Sequence, residues 1–577
     1  MANVLKKRGQ KLINKFSRAS LKASEEGKEH IKENLIGRFS HIENVRLLVL
    51  EWGLLVLALI MLAATQSFWF GDSYAENAFT SGGIYTEATI GEVNSMNPLF
   101  ATTSSEKVLS RLMFATISAN DYSGHIGIGL AKSITASENG KVWKMKLRDG
   151  LRWSDGEALT NEDVLFTINL IQNPVVNTIY DSNLKGVKIS EGENGEIVFT
   201  LPSEYADFIT ALNFPVLPKH ILEDAEPKTL VEHSFSKSPV TSGAFSFNAM
   251  QSGASAEERI YYLTSNPYYY KGVTLLNSFS IHTYKSREKV IDALNSGSVT
   301  ATAELSEVDK DNVNGVFLRK NSSLNSGAFI FFNTTSGAFK NVGLRSAIRE
   351  GISLQKLRNE APEAVALNYP LLESQIKLTD YPTLPEENFE EARKKIAEIA
   401  GEEPISVNIV TVNSGFLSKV SKELEIELKE LGLNANLTIY EEDQEFVSNI
   451  VAKRNYDILV YEIELGADPD LLPYYHSSQA STTGLNLSNY RNALVDDLLL
   501  GARDTTDESL RVKKYESFLT YWVKDVPAIG LYRPNLTYYY NKNVRTFNDS
   551  VRIVTALDRF CDINTWAVTK TTKNKTP

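Results

Sequence analysis

An uncharged apolar run of 19 residues, Trp52 to Phe70, divides the chain into two unequal parts. At about 1.5 Å per helical residue the run is about 28 Å long, close to the ~30 Å hydrocarbon core of a bilayer. A tryptophan begins the run and the sequence Phe-Trp-Phe ends it, and aromatic side chains of this kind favour membrane interfaces. With its flank, the run predicts a transmembrane helix over residues 47–70.

Charge differs sharply on the two sides of this run. Residues 1–46 carry 11 Lys and Arg against 5 Asp and Glu, which leaves 49 basic and 66 acidic residues in the rest of the chain. The positive-inside rule then places the tail in the cytoplasm and the main body outside the cell membrane or in the periplasm. Because cleaved signal peptides have shorter basic and apolar segments, we expect an uncleaved signal anchor. The acidic body predicts no nucleic-acid partner.

A single cysteine, Cys561, limits the covalent options. One thiol forms no disulfide framework and no Cys-based zinc site. No cysteine follows the apolar run to carry a lipid, so the helix is the expected anchor.

The basic tail itself has a helical pattern. Ile31, Leu35, Phe39 and Ile42 are spaced by four, four and three residues, which predicts an amphipathic helix. Such a helix binds the anionic inner leaflet, binds a cytoplasmic partner or serves only as a topology signal, and the sequence leaves these three readings open.

Beyond residue 80 the pattern is mixed α/β. Thr160, with Asp163 three residues later, predicts a capping box that begins a helix. Residues 405–464 alternate three strand-like runs with a long and a short helical pattern, which predicts a mainly parallel sheet covered on both faces. The third of these strands runs into Gly466-Ala467-Asp468-Pro469-Asp470, where such a sheet offers its crevice.

Motifs for catalysis are largely missing from the sequence. The seven histidines never stand three or four residues apart, and no P-loop, dinucleotide fingerprint or Gly-x-Ser-x-Gly elbow occurs. We therefore expect no enzyme, no cofactor and no metal site. Tyrosine clusters at 268–270, 474–475 and 538–540 suit either a ligand cleft or edge-strand packing.

Seven segments in order resemble a known family. They are GEVNSMNPLF (91–100), DGLRWSDGEALTNEDVLFT (149–167), PVLPKHIL (215–222), NPYYYKG (266–272), FIFFNTTSGAFKNVGLRSAI (329–348), NLSNYRNALVDDLL (486–499) and DVPAIGLYRP (525–534). Together they are similar to extracellular solute-binding proteins of family 5, the oligopeptide-, dipeptide- and nickel-binding receptors of ABC importers.

The resemblance implies an α/β fold like that of periplasmic binding proteins, bilobal with three subdomains and a closing cleft. We expect lobe I over residues 82–320, after a linker at 71–81, with a subdomain inserted at about 100–235. Lobe II is expected over 321–485, and a return to lobe I over 486–577.

The resemblance also implies a ligand site. In peptide-binding members an Asp of an Ala-Asp segment pairs with the α-amino group of the ligand, and Ala467-Asp468 matches that segment. Asp468 is therefore the first candidate, and Tyr474, Tyr475 and His476 follow as cleft contacts. In the segment Pro239 to Phe245 a glycine and a proline of the family pattern are replaced, and the tryptophan that commonly precedes Ala-Asp is absent.

Two functions fit these features. The first is a membrane-anchored receptor, expected as a monomer, that captures peptides and delivers them to the subunits of an ABC permease. The second is a binding or signalling module of the same fold that has left transport, or a receptor for a sugar or metal chelate. The long basic tail motivates the second.

Overall fold

The computed structural model describes residues 46–574, except 138–139, 177, 179, 181–183, 254–257, 442–445 and 483. Side chains are described over residues 50–66 and 81–569 within these limits. The predicted tail, with its amphipathic pattern, lies outside the described residues. The chain divides into two compact units, residues 1–78 with 571–577, and residues 79–570.

In the described part of the first unit, the long helix Arg46–Tyr74 is followed by the strand Ala75–Thr80. All its described side chains, residues 50–66, are exposed, and ten large apolar ones between Leu50 and Leu62 are 50–63% exposed. Among the helices of the described residues, none is both long and apolar enough to cross a membrane. The predicted transmembrane anchor over 47–70 is therefore not shown by the structure.

Lobe I, the first part of the second unit, is built on a seven-stranded mixed sheet. Its two central pairs are parallel, since Ile84–Ile90 runs parallel to both Ala301–Leu305 and Ser278–Tyr284. In spatial order the strands are Phe317–Ser323, Asn535–Asn541, Ala301–Leu305, Ile84–Ile90, Ser278–Tyr284, Arg259–Ser265 and Phe245–Ser252.

The inserted subdomain lies in the sequence between the strands Ile84–Ile90 and Phe245–Ser252 of lobe I. It contains a four-stranded antiparallel sheet and a short hairpin. The sheet order is Ala131–Ala136, Val142–Leu147, Ile197–Thr200 and Lys188–Glu191, and the hairpin pairs Ser118–Asn120 with Ile126–Ile128. Its apolar side chains share one buried cluster with those of lobe I, so the two pack as one body.

Lobe II is built on a six-stranded sheet with the order Val365–Ala366, Ala528–Arg533, Ser326–Phe332, Ile458–Glu464, Ser406–Val412 and Asn434–Tyr440. The last three strands are parallel, as the sequence predicts. The prediction of a mainly parallel sheet is corrected, because Ser326–Phe332 pairs antiparallel with both of its main neighbours. Every residue of this strand is buried, and its last five residues, Ala328 to Phe332, are all apolar.

Helices cover these sheets. The predicted capping box is confirmed, since Thr160 caps the helix Asn161–Ile171 and Asp163 accepts a hydrogen bond from the backbone N of Thr160. Further α-helices that the structure describes in the second unit are Ser104–Met113, Lys219–Leu222, Arg287–Ser296, Val342–Gly351, Leu354–Asn359, Phe389–Ala400, Leu417–Glu430, Leu472–Tyr475, Ala493–Asp504 and Glu508–Asp525. A pair of short strands, Val544–Arg545 and Ala567–Asn574, lies near the chain end.

The predicted return to lobe I at residue 486 is corrected to Asn535. Helices Ala493–Asp504 and Glu508–Asp525 contribute to the apolar core of lobe II, and the strand Ala528–Arg533 belongs to its sheet. Their partners in that core are distant in sequence, so the local pattern did not assign them to lobe II. The chain crosses between the lobes at 323–326 and again at 533–535.

The two crossings lie side by side. The backbone N of Leu324 donates to the carbonyl of Pro534 at 3.1 Å, and Arg533 Nη2 donates to the carbonyl of Leu324 at 2.9 Å. Hinges between two bodies are formed by a few loop or element-terminal residues, and both crossings are of this kind.

Candidate functional site

The loop that follows the strand Ile458–Glu464 is held in place by two side chains. Asn325 Nδ2 donates to the carbonyl of Gly466 at 2.9 Å, and Gln375 Nε2 donates to the carbonyls of Leu465 and Asp468 at 2.6 and 3.0 Å. Gly466 has a φ of +70°, a conformation that glycine adopts without steric cost. The loop therefore presents Asp468 and Asp470 from a fixed backbone at the carboxyl end of a sheet strand.

Asp468 meets an arginine that also reaches the inserted subdomain. Arg511 Nη2 donates to Asp468 Oδ1 at 2.6 Å, while Arg511 Nη1 donates to Asp207 Oδ2 at 2.7 Å. The side chains of Asp468 and Arg511 are 12% and 14% exposed. The guanidinium thus joins two carboxylates that belong to opposite sides of the boundary between lobe II and the inserted subdomain.

Asp470 makes a second set of contacts across the same boundary. Arg503 Nε lies 3.4 Å from Asp470 Oδ2, and the Arg503 guanidinium stacks 3.9 Å from the ring centre of Tyr205. Tyr205 Oη donates to Asp470 Oδ2 at 3.4 Å. The backbone N of Ala206 also donates to the carbonyl of Arg503 at 3.1 Å. We call the residues Tyr205, Asp207, Asp468, Asp470, Arg503 and Arg511 the interlobe cluster.

Burial changes the acidity of this cluster. Burial is the largest cause that raises the pKa of Asp468 well above its ordinary value, and the neighbouring carboxyl of Asp207 raises that pKa further. Arg511 opposes this effect without cancelling it. Burial alone would lower the pKa of Arg511, but Asp468 and other neighbours raise that pKa, so the guanidinium stays charged.

Of the four candidates from the sequence, only Asp468 belongs to the interlobe cluster. Tyr474 lies beside it, half-buried, and its hydroxyl donates to the carbonyl of Glu464. Tyr475 is fully buried, and its ring centre lies 5.6 Å from that of Phe518. This core position corrects the prediction that Tyr475 contacts the cleft, because no part of its side chain reaches a surface.

His476 has a local structural role. Its Nδ1 accepts a hydrogen bond from the backbone N of Ser478 at 3.0 Å and so caps the turn Ser477–Gln479. Its carbonyl accepts a hydrogen bond from Asn486 Nδ2 at 3.1 Å. In this position the ring supports the loop from within lobe II and is separate from the interlobe cluster.

Sequence reasoning did not propose five members of the cluster as site residues, namely Tyr205, Asp207, Asp470, Arg503 and Arg511. Arg503 and Arg511 lie on two helices that resemble ordinary charged surface helices in sequence. Asp207 and Arg511 are 304 positions apart, and no local pattern relates them. Only the meeting of two subdomains brings these residues together.

The tyrosine clusters have different environments. Tyr538 and Tyr539 are buried in a strand of lobe I, as the packing interpretation expects. Residues 268–270 line a cavity of about 340 Å³ together with Arg148 and Arg152. A further cavity of about 300 Å³ lies next to Lys271 and Cys561. Burial and Asp562 raise the pKa of the Cys561 thiol to about 12, so this thiol is not ionised at neutral pH.

Comparison with known proteins connects this architecture to solute receptors. The family described as "Bacterial extracellular solute-binding proteins, family 5 Middle" matches residues 126–485. The oligopeptide-binding protein AppA of Bacillus subtilis is 25% identical over 515 residues, which cover 84% of this chain and 92% of AppA.

Two solved structures illustrate the range of ligands among similar folds. The structure of B. subtilis AppA in complex with a nonapeptide has a TM-score of 0.74 at 21% identity and covers 85% of this chain and 100% of AppA. The structure of NikZ from Campylobacter jejuni in complex with Ni(L-His) has a TM-score of 0.72 at 20% identity and covers 84% and 99% of the two chains. At these identities the likeness shows the fold.

Proposed function

Because the chain belongs to family 5 of the bacterial extracellular solute-binding proteins, we propose that it captures peptides between lobe II and the inserted subdomain and delivers them to an ABC permease. Membership of the family confirms the α/β binding-protein fold and the prediction of a solute receptor without enzymatic activity. Peptide as the ligand and a permease as the partner are the parts that we propose.

One observation carries the proposal. The carboxyl end of the strand Ile458–Glu464 delivers Asp468 and Asp470 to the boundary with the inserted subdomain, where Tyr205 and Asp207 contact the arginines that pair with them. Ligand sites of α/β proteins form at such strand ends and between subdomains. Asp468 therefore lies, with Tyr474 beside it, at the boundary where we place the ligand.

The choice of peptide rests on the relatives. AppA is named as an oligopeptide-binding protein and its solved structure holds a nonapeptide. The chain aligns with 92% of AppA, so most of the length of that protein has a counterpart here.

Isothermal titration of the purified full chain with a pool of synthetic peptides of two to nine residues tests this function. We expect saturable binding of one peptide per chain. Titration with nickel and L-histidine is the parallel arm, since NikZ holds that ligand. If the chain bound the metal chelate and no peptide, the ligand class would be a metal chelate and the peptide proposal would be wrong.

Transport needs its own measurement. We expect that a strain without this chain loses uptake of a radiolabelled peptide that the purified chain binds, and that the plasmid-borne chain restores uptake. Binding together with unchanged uptake would favour the binding or signalling module.

Membrane attachment through the first helix is a further part of the proposal. The uncharged run Trp52 to Phe70 and the exposed apolar side chains of residues 50–62 support it, because apolar surface of this extent is unfavourable in water. We expect the full chain in the membrane fraction after an alkaline carbonate wash, and a variant without residues 2–70 in the supernatant. Recovery of both proteins from the supernatant would contradict attachment.

A further inference from the structure

Asp468 is already bound by a charged group of its own chain. Its Oδ1 accepts a hydrogen bond from Arg511 Nη2 at 2.6 Å, a distance typical of a strong charge-assisted bond. Arg511 lies on the helix Glu508–Asp525, which packs in the core of lobe II. A cationic group of a ligand at Asp468 would therefore compete with a guanidinium that is already bonded to one of its oxygens.

Arg511 has both of its terminal nitrogens in use. Nη1 donates to Asp207 and Nη2 donates to Asp468, so the planar guanidinium is fixed between two carboxyl groups. Its side chain is only 14% exposed. Displacement of this side chain by a ligand amine would break two charge-assisted bonds and leave a buried guanidinium without partners, which is costly.

Asp207 and Asp468 lie on either side of the Arg511 guanidinium, and burial together with the Asp207 carboxyl raises the pKa of Asp468 well above its ordinary value. One guanidinium therefore serves both carboxyl groups without a ligand cation.

Asp470 is occupied in the same manner. Arg503 lies 3.4 Å from its Oδ2, Tyr205 donates to the same oxygen, and the backbone N of Leu472 donates to Oδ1 at 3.1 Å. Both acidic residues of the Ala467 to Asp470 loop thus have arginine partners from lobe II.

We propose that Arg511 is a specificity-determining residue that takes Asp468 away from the ligand, so that this receptor binds peptides with a free and with a blocked α-amino group equally well. The inference rests on the proposed peptide function and narrows its substrate class: the amino terminus is not the anchor. Peptides whose termini are acetylated, or which are bound by an interior segment, are therefore ligands of this chain.

The test compares matched peptides that differ only in N-acetylation, titrated into the full chain. For the natural protein we expect affinities for the free and the acetylated pool that agree within about threefold. For Arg511→Gln we expect a preference of about tenfold or more for the free amine, because Asp468 is then open to it. Arg511→Lys keeps a cation and is expected to retain the equal affinities.

Lys513→Gln is the matched control, since Lys513 lies on the same helix, is largely exposed and pairs with Glu516 outside the cluster. It is expected to leave the ratio of affinities unchanged. A tenfold preference of the natural protein for the free amine would overturn the inference while the peptide function stands. Absence of binding by either pool would overturn both.

Asp468→Asn supplies a second variant if Arg511→Gln fails to fold. Because Arg511 keeps its bond to Asp207 in this variant, we expect the affinities for both pools to stay within about threefold of those of the natural protein. A selective loss of affinity for the free amine would show that the ligand uses the Asp468 carboxylate and would overturn the inference.

Discussion

Arg559 and Glu87 form an ion pair inside lobe I, with Arg559 Nη2 and Glu87 Oε1 2.6 Å apart and side chains that are 2% and 0% exposed. Tyr538 Oη donates to the other oxygen of Glu87, also at 2.6 Å, and shares a hydrogen bond with Tyr85. The strand Ile84–Ile90, the strand Asn535–Asn541 and the turn Ala556–Phe560 are tied together by this network, although they are far apart in sequence.

Removal of one partner of this pair is expected to be severe. Arg559→Met leaves a buried carboxylate without its cation, and we expect a loss of about 3–5 kcal/mol in the free energy of unfolding, measured with urea. The double variant Glu87→Gln, Arg559→Met removes both charges and should recover a large part of that loss. A double variant as unstable as the sum of the two single variants would show that the pair is not coupled.

Asp468 predicts a definite pH dependence. Its pKa is raised above the ordinary value of 3.8, so the folded protein holds this proton over a pH range in which the unfolded chain releases it. The contribution to stability is therefore present at pH values below 3.8 and is lost as pH rises toward the raised pKa. We expect the melting temperature of Asp468→Asn to rise relative to that of the natural protein between about pH 4 and pH 7. A constant difference would contradict the raised pKa.

The capping box of the helix Asn161–Ile171 gives a graded prediction. Thr160→Ala is expected to cost about 1 kcal/mol, the usual value for a lost N-cap. Asp163→Ala should cost more, about 2–3 kcal/mol, because this buried carboxylate also accepts a hydrogen bond from the backbone N of Lys219 at 2.8 Å. Glu162→Ala, at an exposed position of the same turn, is the control and should have little effect in thermal unfolding.

Gly243 is predicted to be intolerant of any side chain. An added Cβ would lie 2.5 Å from the carbonyl oxygen of Leu112 and from the carbonyl carbon of Met113, and both are backbone atoms that cannot easily move. We expect Gly243→Ala to destabilise the protein by about 1–3 kcal/mol through this overlap. Gly315→Ala, where nothing lies within 4 Å, should be nearly neutral in the same unfolding measurement.

Gly243 also bears on the altered segment Pro239 to Phe245. Within this segment, Gly243 stands at the position where two backbones touch. The close approach explains why a glycine is needed there.

Features with local sequence signals were predictable. The capping box at Thr160, the helix Leu417–Glu430 and the three parallel strands of lobe II each follow from spacing within a few residues. Asp468 was found because a short motif marks its loop.

Features that depend on distant partners were not predictable. Arg345 is buried, and its Nε donates to the carbonyl of Val526 at 3.0 Å, a partner 181 positions away in the sequence. The boundary of lobe II and the partners of Asp468 were not predictable for the same reason, because both depend on contacts between segments that are distant in sequence. The pattern of one segment does not reveal which residues of another segment will contact it.

Under the proposed function, the paired crossings at Leu324 and Pro534 limit what a permease is able to sense. Because the two connections lie side by side and are joined by a hydrogen bond, we expect lobe II to turn relative to lobe I about essentially one axis. Capture of any ligand would then change one angle between the two lobes. A partner that recognises this angle would not need to contact the ligand. Receptors could then bind different ligands with the same docking surface for the partner.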